Sequence, residues 1–211
     1  MNSLNTKAYP WLRISPTEDR YIQPAYYDAL LKEYFFNGKE DIEYFRDYLS
    51  TVAPDVAFLE LGPGTGRATK ILFESSRGVK SLTLVDLSKR MLESCKKLFV
   101  EKAAMSYIAS DSIDFLLSTE NIYDSIYSIW SLSHSIHKNL EDLGNENGAI
   151  KVKKAITKMT RENLRAGGSF FAIHFDSDSP EQKISLRQRR RDARDAALFA
   201  DVGQQSQALF R

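Results

Sequence analysis

Residues 58–70 read FLELGPGTGRATK, with glycines at 62, 64 and 66. An apolar run leads into them and a helix-like run leads out. Three positions without side chains, so close together, have two physical causes. Something approaches this main chain closely, or the backbone turns through angles that other residues resist. The place of the stretch in the fold decides what it serves, so the surrounding rhythm comes first.

From Asp55 onward, short apolar runs alternate with helical stretches. The runs are VAFLEL (56–61), SLTLVDL (81–87), MSYIAS (105–110), YDSIYSIW (123–130) and SFFAIHF (169–175). Between them lie GRATKILFESS, SKRMLESCKKLF, DSIDFLLS and a longer connection from Ser131 to Arg165. In that connection GNENG (144–148) reads as a turn. It divides a short helix from a longer one, AIKVKKAITKMTRENLRA, which AGG (166–168) then stops. Such alternation predicts an α/β fold: a doubly wound, mostly parallel sheet with helices on both faces. The N-terminal part differs. PAYYDALLKEYFF (Pro24–Phe36) and GKEDIEYFRDYLSTV (Gly38–Val52) carry apolar residues at helical spacing, with Ile42, Phe45 and Leu49 on one face. The chain thus divides into a helical cap or lid, residues 1–52, and an α/β domain, residues 53–211.

Composition excludes several classes. A chain of 211 residues is long enough for one domain with a real core. Lys plus Arg number 29 against 28 Asp plus Glu, so a net charge of +1 gives no global pull toward nucleic acid or an anionic membrane. The single cysteine, Cys95, excludes an internal disulfide and reads as an inert, half-buried thiol in the helical pattern KRMLESCKKLF. No run is long enough to span a bilayer, and MNSLNTKAYPWLRISP lacks an apolar core of signal-peptide length. The expected location is the cytoplasm.

If residues 56–61 form the first strand, the glycines occupy the loop at its carboxyl end, where open parallel sheets bind ligands. The next helix is expected to begin near Gly64–Thr65, with its N–H groups aimed at the ligand. A dinucleotide loop wants Gly-x-Gly-x-x-Gly, but Arg67 stands where the third glycine belongs. A phosphate-cradling loop ends in Gly-Lys-Ser/Thr, which Gly66-Arg67-Ala68 does not match. What stands is Glu60-x-Gly62-x-Gly64-x-Gly66. This resembles the first motif of the class I, Rossmann-like S-adenosylmethionine-dependent methyltransferases.

The resemblance covers about Val56 to Phe175 and implies a site. In the family the glycine loop wraps the methionine end of the cofactor, and Glu60 matches the acidic residue that helps hold it. Asp86, with Leu87 beside it, ends the second strand. The resemblance gives Asp86 the ribose hydroxyls, while the alternative is a helix cap, a role Ser88 fits better. Met91 covers the adenine or packs in the core. Asp111 and Ser112 follow the third strand, where the family reads the adenine ring; Ser110 or Asp111 capping SIDFLL is the alternative.

At the acceptor end, the fourth strand runs into SIWSLSHSIHK. Trp130 is expected to wall the sulfonium region and Ser131 to make one hydrogen bond there. His134 and His174 are candidate bases, each with an ordinary surface, capping or core role as the alternative. No metal is expected. The chain lacks the Asn/Asp-Pro-Pro-aromatic tetrad of amino-directed nucleic-acid methyltransferases, and residues 128–135 contain no acidic group to serve a catechol-type metal. Tyr21, Tyr26, Tyr27 and Tyr34 make the cap a candidate lid over the acceptor, with tyrosine faces able to meet a sulfonium. The arginines of LRQRRRDARDAALF (186–199) read as a solvated helix face rather than an RNA surface.

Only 36 residues follow Phe175, fewer than the family's closing helix and strand hairpin require. The C-terminal strands are therefore expected to be shortened or missing: the sheet is short, a partner chain completes it, as in a homodimer, or the sequence is a truncated form; an unpaired edge would favour association. The leading expectation is metal-independent methyl transfer from S-adenosylmethionine to an oxygen, nitrogen or carbon of a small molecule. Two others are open. One is a different use of the sulfonium, cyclisation or alkyl transfer releasing methylthioadenosine. The other is a non-catalytic partner subunit.

Overall fold

The computed structural model describes residues 35–36, 39–99 and 104–174. Two short strands, β1 (Phe35–Phe36) and β2 (Lys39–Glu40), pair antiparallel and lead into α1 (Asp41–Thr51). Then follow β3 (Val56–Leu61), α2 (Arg67–Ser75), β4 (Val79–Asp86), α3 (Lys89–Leu98), β5 (Ala104–Ala109) and α4 (Ser112–Ser118). The last elements are β6 (Tyr123–Ile129), α5 (Leu132–Leu143), α6 (Asn145–Lys158), a π-helical turn (Met159–Asn163) and β7 (Leu164–Ile173).

The five long strands form one all-parallel sheet in the order β5-β4-β3-β6-β7. This is the Rossmann-like, doubly wound architecture. The chain moves outward from β3 through β4 to β5, then crosses to β6 on the other side of β3. Strand order reverses between β3 and β6, and there the loops leaving the two strands diverge and open a crevice. Both faces are covered, as a parallel sheet requires. Phe58 points into a cluster with Leu72, Leu82, Leu84, Cys95 and Tyr127. Its neighbours Leu59 and Leu61 point the other way, into a cluster with Val85, Ile113, Leu116, Ile126 and Met159.

Helix α1 belongs to the first of these clusters. Ile42, Phe45 and Leu49, the face read from sequence, are buried there. Phe45 lies 4.7 Å from the Tyr127 ring and 5.6 Å from Phe171, and Tyr48 stacks on Phe171 at 4.6 Å. The Tyr48 hydroxyl shares hydrogen bonds with Ser125 (2.7 Å) and Ser169 (2.5 Å), tying α1 to β6 and β7. The change of rhythm at residue 52 is therefore no change of core.

Four local expectations are corrected. Residues 35–36, read as the end of a helix, form a strand instead; the rest of that stretch, with Tyr21, Tyr26, Tyr27 and Tyr34, lies outside the described residues. Helix α2 starts at Arg67, not near Gly64, because Gly62, Gly64 and Gly66 all have positive φ (80°, 55° and 93°) and cannot join a right-handed turn. Of GNENG only Gly144 breaks the helix. Residues 145–148 wind into α6, where a Cβ on Gly148 would lie 2.6 Å from Leu140 Cα, so this glycine serves close helix packing. AGG does not stop the helix: the π-helical turn does, and β7 already begins at Leu164. Between Leu164 and Ser169 β7 advances five residues against two on β6, from Tyr123 to Ser125, so the AGG residues bulge out of the ladder.

Strands β4 to β7 end one or two residues before the sequence runs do, while β3 ends where its run does. Leu87, Ser110, Trp130 and His174 thus fall on the loops beyond the carboxyl edge. The Arg-rich stretch 186–199 and the C-terminal tail lie outside the described residues. Since Phe45 is fully enclosed, Phe45→Ala is expected to lower stability by about 3–5 kcal/mol in urea denaturation followed by circular dichroism. A loss below about 1 kcal/mol would mean that α1 is only loosely docked.

Candidate functional site

The glycines are needed by the protein itself. An added Cβ on Gly62 would lie 1.8 Å from Ser131 Oγ, so the β6–α5 loop rests on the first glycine. A Cβ on Gly66 would stand 2.9 Å from Cys95 Sγ and from the Phe99 ring, so α3 closes on the third. The loop also satisfies its own donors. Gly62 N–H donates to the Val85 carbonyl at 2.7 Å, Gly66 N–H to the Pro63 carbonyl at 2.9 Å, and Gly64 N–H to Asp86 Oδ2 at 3.0 Å. None of the three glycine N–H groups is left for a ligand.

Carboxylates dominate the strand tips. Asp86, at the end of β4, is 9% exposed. Its Oδ2 accepts from Gly64 N–H and its Oδ1 from Ser88 N–H at 2.8 Å. Ser88 takes the capping role on α3, its hydroxyl accepting from Met91 N–H at 3.3 Å. Burial raises the Asp86 pKa, while the two backbone N–H groups oppose the rise. One acceptor position on each Asp86 oxygen remains. Asp111, after β5, is more heavily used. It caps α4 by accepting from Ile113 and Asp114 N–H, and also takes Asn139 Nδ2–H (3.0 Å) and the Ser135 hydroxyl (2.8 Å). Ser112 and Met91 are buried and Leu87 is half-buried.

Glu60 sits beneath the glycine loop, 2% exposed. Both its donors are hydroxyls, Thr69 at 2.6 Å and Tyr127 at 2.8 Å, and both meet Oε2. Burial pushes its pKa up to about 7, against the two hydroxyls, which lower it. The same burial pushes the neighbouring Cys95 thiol up to about 12, consistent with an inert cysteine, although its side chain is fully rather than half buried.

The β3–β6 ladder ends at Glu60 and Tyr127. Beyond it Ser128 Oγ donates to the Leu61 carbonyl (2.9 Å) and accepts from Leu132 N–H (3.0 Å), which fixes the mouth of the crevice. Trp130 follows in the left-handed region, φ 62°, an outlier for a bulky residue. Its backbone N–H donates to the Ile173 carbonyl at 2.7 Å and its indole Nε1–H to Asp41 Oδ2 at 2.6 Å. Asp41 also takes both terminal nitrogens of Arg67, each at 2.6 Å.

The structure thus gathers Glu60, the three glycines, Asp86, Leu87, Met91, Asp111, Ser112, Trp130 and Ser131 at one edge of the sheet. His134 is exposed on the first turn of α5 and His174 is exposed just past β7. Sequence reading missed Asp41, Ser128, Asn139 and the structural use of Arg67. Asp41 was not singled out in the sequence; the one available signal was Arg67 at a position where a dinucleotide loop keeps glycine. Among the described residues no cluster of His, Cys, Asp and Glu is arranged to hold a metal, and no helix is long and apolar enough to cross a membrane.

The sequence matches the methyltransferase-domain family over residues 59–172. Similar solved structures include the N-methyltransferase NodS from Bradyrhizobium japonicum WM9, at 25% identity, 61% of this chain, 65% of that one and a TM-score of 0.46. The same protein in complex with S-adenosyl-l-homocysteine gives 25% identity, 64% and 60% coverage and a TM-score of 0.48. An rRNA methylase from Streptococcus thermophilus gives 14% identity, 72% and 78% coverage and a TM-score of 0.46. The chain spans less than two thirds of the NodS structures. Among curated proteins none matches.

The raised Glu60 pKa has a consequence for stability. The folded protein holds this proton up to about pH 7, the unfolded chain only to about 4.5. Between those values the folded state binds more protons, so stability falls as pH rises. The contribution is fully present below pH 4.5 and lost through pH 7, amounting to about 3 kcal/mol at most. Glu60→Gln is expected to flatten this part of the stability profile, measured by urea midpoints from pH 5 to 8. An unchanged slope would show that Glu60 is already ionised in the fold.

Proposed function

The chain belongs to the class I S-adenosylmethionine-dependent methyltransferases, and from that premise we propose that it methylates an oxygen, nitrogen or carbon of a small molecule. The cofactor supplies a methyl group already activated on a sulfonium. The residues present fit it. Three acidic side chains, Glu60, Asp86 and Asp111, stand at the tips of three neighbouring strands, while the glycine N–H groups are used internally. Such a site is rich in acceptors and poor in donors. It suits a ligand that brings hydroxyls, an amino group and positive charge, and it disfavours a pyrophosphate, which needs N–H donors. That imbalance is the observation that carries the reading.

In this reading Asp86 receives the ribose hydroxyls on its two remaining acceptor positions. Glu60 lies beneath the glycine loop on the side of the cationic methionine end, where a positive group would restore its ionisation. Asp111 holds the adenine side through the loop it caps, with Ser112 and Leu87 flanking the ring and Met91 closing behind it. Trp130 and Ser131 wall the methyl-donating end and exclude water. His134 or His174 takes the proton that an acceptor hydroxyl or amine gives up. No step requires a metal, since the leaving group departs as a neutral thioether.

Two measurements test this. Mass spectrometry of the protein incubated with S-adenosylmethionine and a library of small hydroxyl, amine and enol acceptors is expected to show S-adenosylhomocysteine with a matching methylated product. Methylthioadenosine formed without any acceptor would instead identify a different use of the sulfonium. By calorimetry, Asp86→Asn is expected to weaken S-adenosylhomocysteine binding at least tenfold, the scale of one charge-assisted hydrogen bond. Undiminished affinity would remove Asp86 from the site.

A further inference from the structure

Asp41 opens α1, a position where a carboxylate ordinarily faces water and favours the helix dipole. Here it is 4% exposed and surrounded by donors. Oδ1 takes Ile42 N–H (2.8 Å) and Arg67 Nη2 (2.6 Å); Oδ2 takes Arg67 Nη1 (2.6 Å) and Trp130 Nε1 (2.6 Å). One carboxylate thus joins three segments distant in sequence. Arg67 is the first residue of the helix that leaves the glycine loop. Trp130 is the first residue of the β6–α5 loop and holds an unfavourable backbone conformation. The residue after it, Ser131, is the one that lies on Gly62. Moving the indole moves Ser131, and moving Arg67 moves the loop beneath. Both rims of the crevice are set from the same two oxygens.

We propose that Asp41 is a positioning residue for methyl transfer: through Trp130 and Arg67 it fixes the gap between the β6–α5 loop and the glycine loop where the cofactor's methionine end enters. This rests on the cofactor reading above, and Asp41 touches neither the cofactor nor the acceptor. The hydrogen-bond geometry favours this over a purely stabilising ion pair. Arg67 alone would be satisfied by the bidentate pair, yet Oδ2 accepts the indole as well, and the indole belongs to the strained residue.

The protein has two tryptophans, Trp11 and Trp130, so in a Trp11→Phe background emission reports on Trp130 alone. In that background Asp41→Asn is expected to shift the emission maximum to the red and to weaken S-adenosylhomocysteine binding roughly tenfold. Asp41→Glu keeps the charge that Arg67 needs but displaces the acceptor by one methylene; it is expected to move both readouts in the same direction. Glu40→Gln, whose carboxylate lies 4.0 Å from Arg67, is expected to move neither. If Asp41→Asn does not fold by circular dichroism, Asp41→Glu decides. A lowered melting temperature with emission and affinity unchanged overturns the proposal and leaves the cofactor reading intact. A parent protein that binds no S-adenosylhomocysteine removes the cofactor reading, and the proposal with it.

Discussion

The Asp86 carboxylate accepts one backbone N–H from the glycine loop and one from the start of α3, and the geometry of the site follows from that pair of bonds. They hold the loop in its run of left-handed turns and set the distance between the tips of β3 and β4. They also leave the carboxylate half used, buried enough to be ordered yet able to accept more. A capping aspartate saturated by its own helix, as Asp111 nearly is, has less to offer. The sheet supplies the remaining condition. Strand order reverses between β3 and β6, so the loop held by Asp86 stands at the switch point where parallel sheets bind ligands.

The buried acids of this structure show two ways of tolerating charge in a core. Asp41 is compensated by a guanidinium and by neutral donors, so its burial is balanced by interactions already present in the protein. Glu60 has two hydroxyl donors among the described residues, and burial raises its pKa. Among the described residues, then, the burial of Glu60 is eased by neutral donors alone. Tyr127, which donates to that carboxylate, has its own pKa driven well upward: burial and the adjacent acid both oppose its ionisation.

Much of the architecture was legible in the sequence because strands and helices there are dictated by short-range periodicity. Val56–Leu61 is identical in sequence reading and structure, and its short, nearly continuous apolar run leaves little choice. The face of α1 was equally plain in Ile42, Phe45 and Leu49. What failed were stops set by tertiary contacts. Gly148 looked like part of a turn, but it is small because α5 passes against it. Gly167 and Gly168 looked like a helix terminator, but they bulge from a strand whose register is set by β6. The site was legible to the extent that its residues follow strand ends in order. Asp41 was not, since its importance lies in meeting Arg67 and Trp130, which are 26 and 89 residues away along the chain. The glycines were found for one reason and kept for another: the spacing pointed to a ligand, while the groups that crowd Gly62 and Gly66 are Ser131, Cys95 and Phe99.

The central claim is that an acceptor-rich crevice at the reversal of strand order holds a sulfonium nucleoside. A crystal structure of the full chain grown with S-adenosylhomocysteine tests it most directly. The account predicts density for the ribose diol within hydrogen-bond distance of Asp86, the adenine beside Asp111 and the thioether sulfur facing Trp130 and Ser131. Density for the nucleoside on any other surface, or an Asp86 carboxylate still closed off from it, would contradict the account.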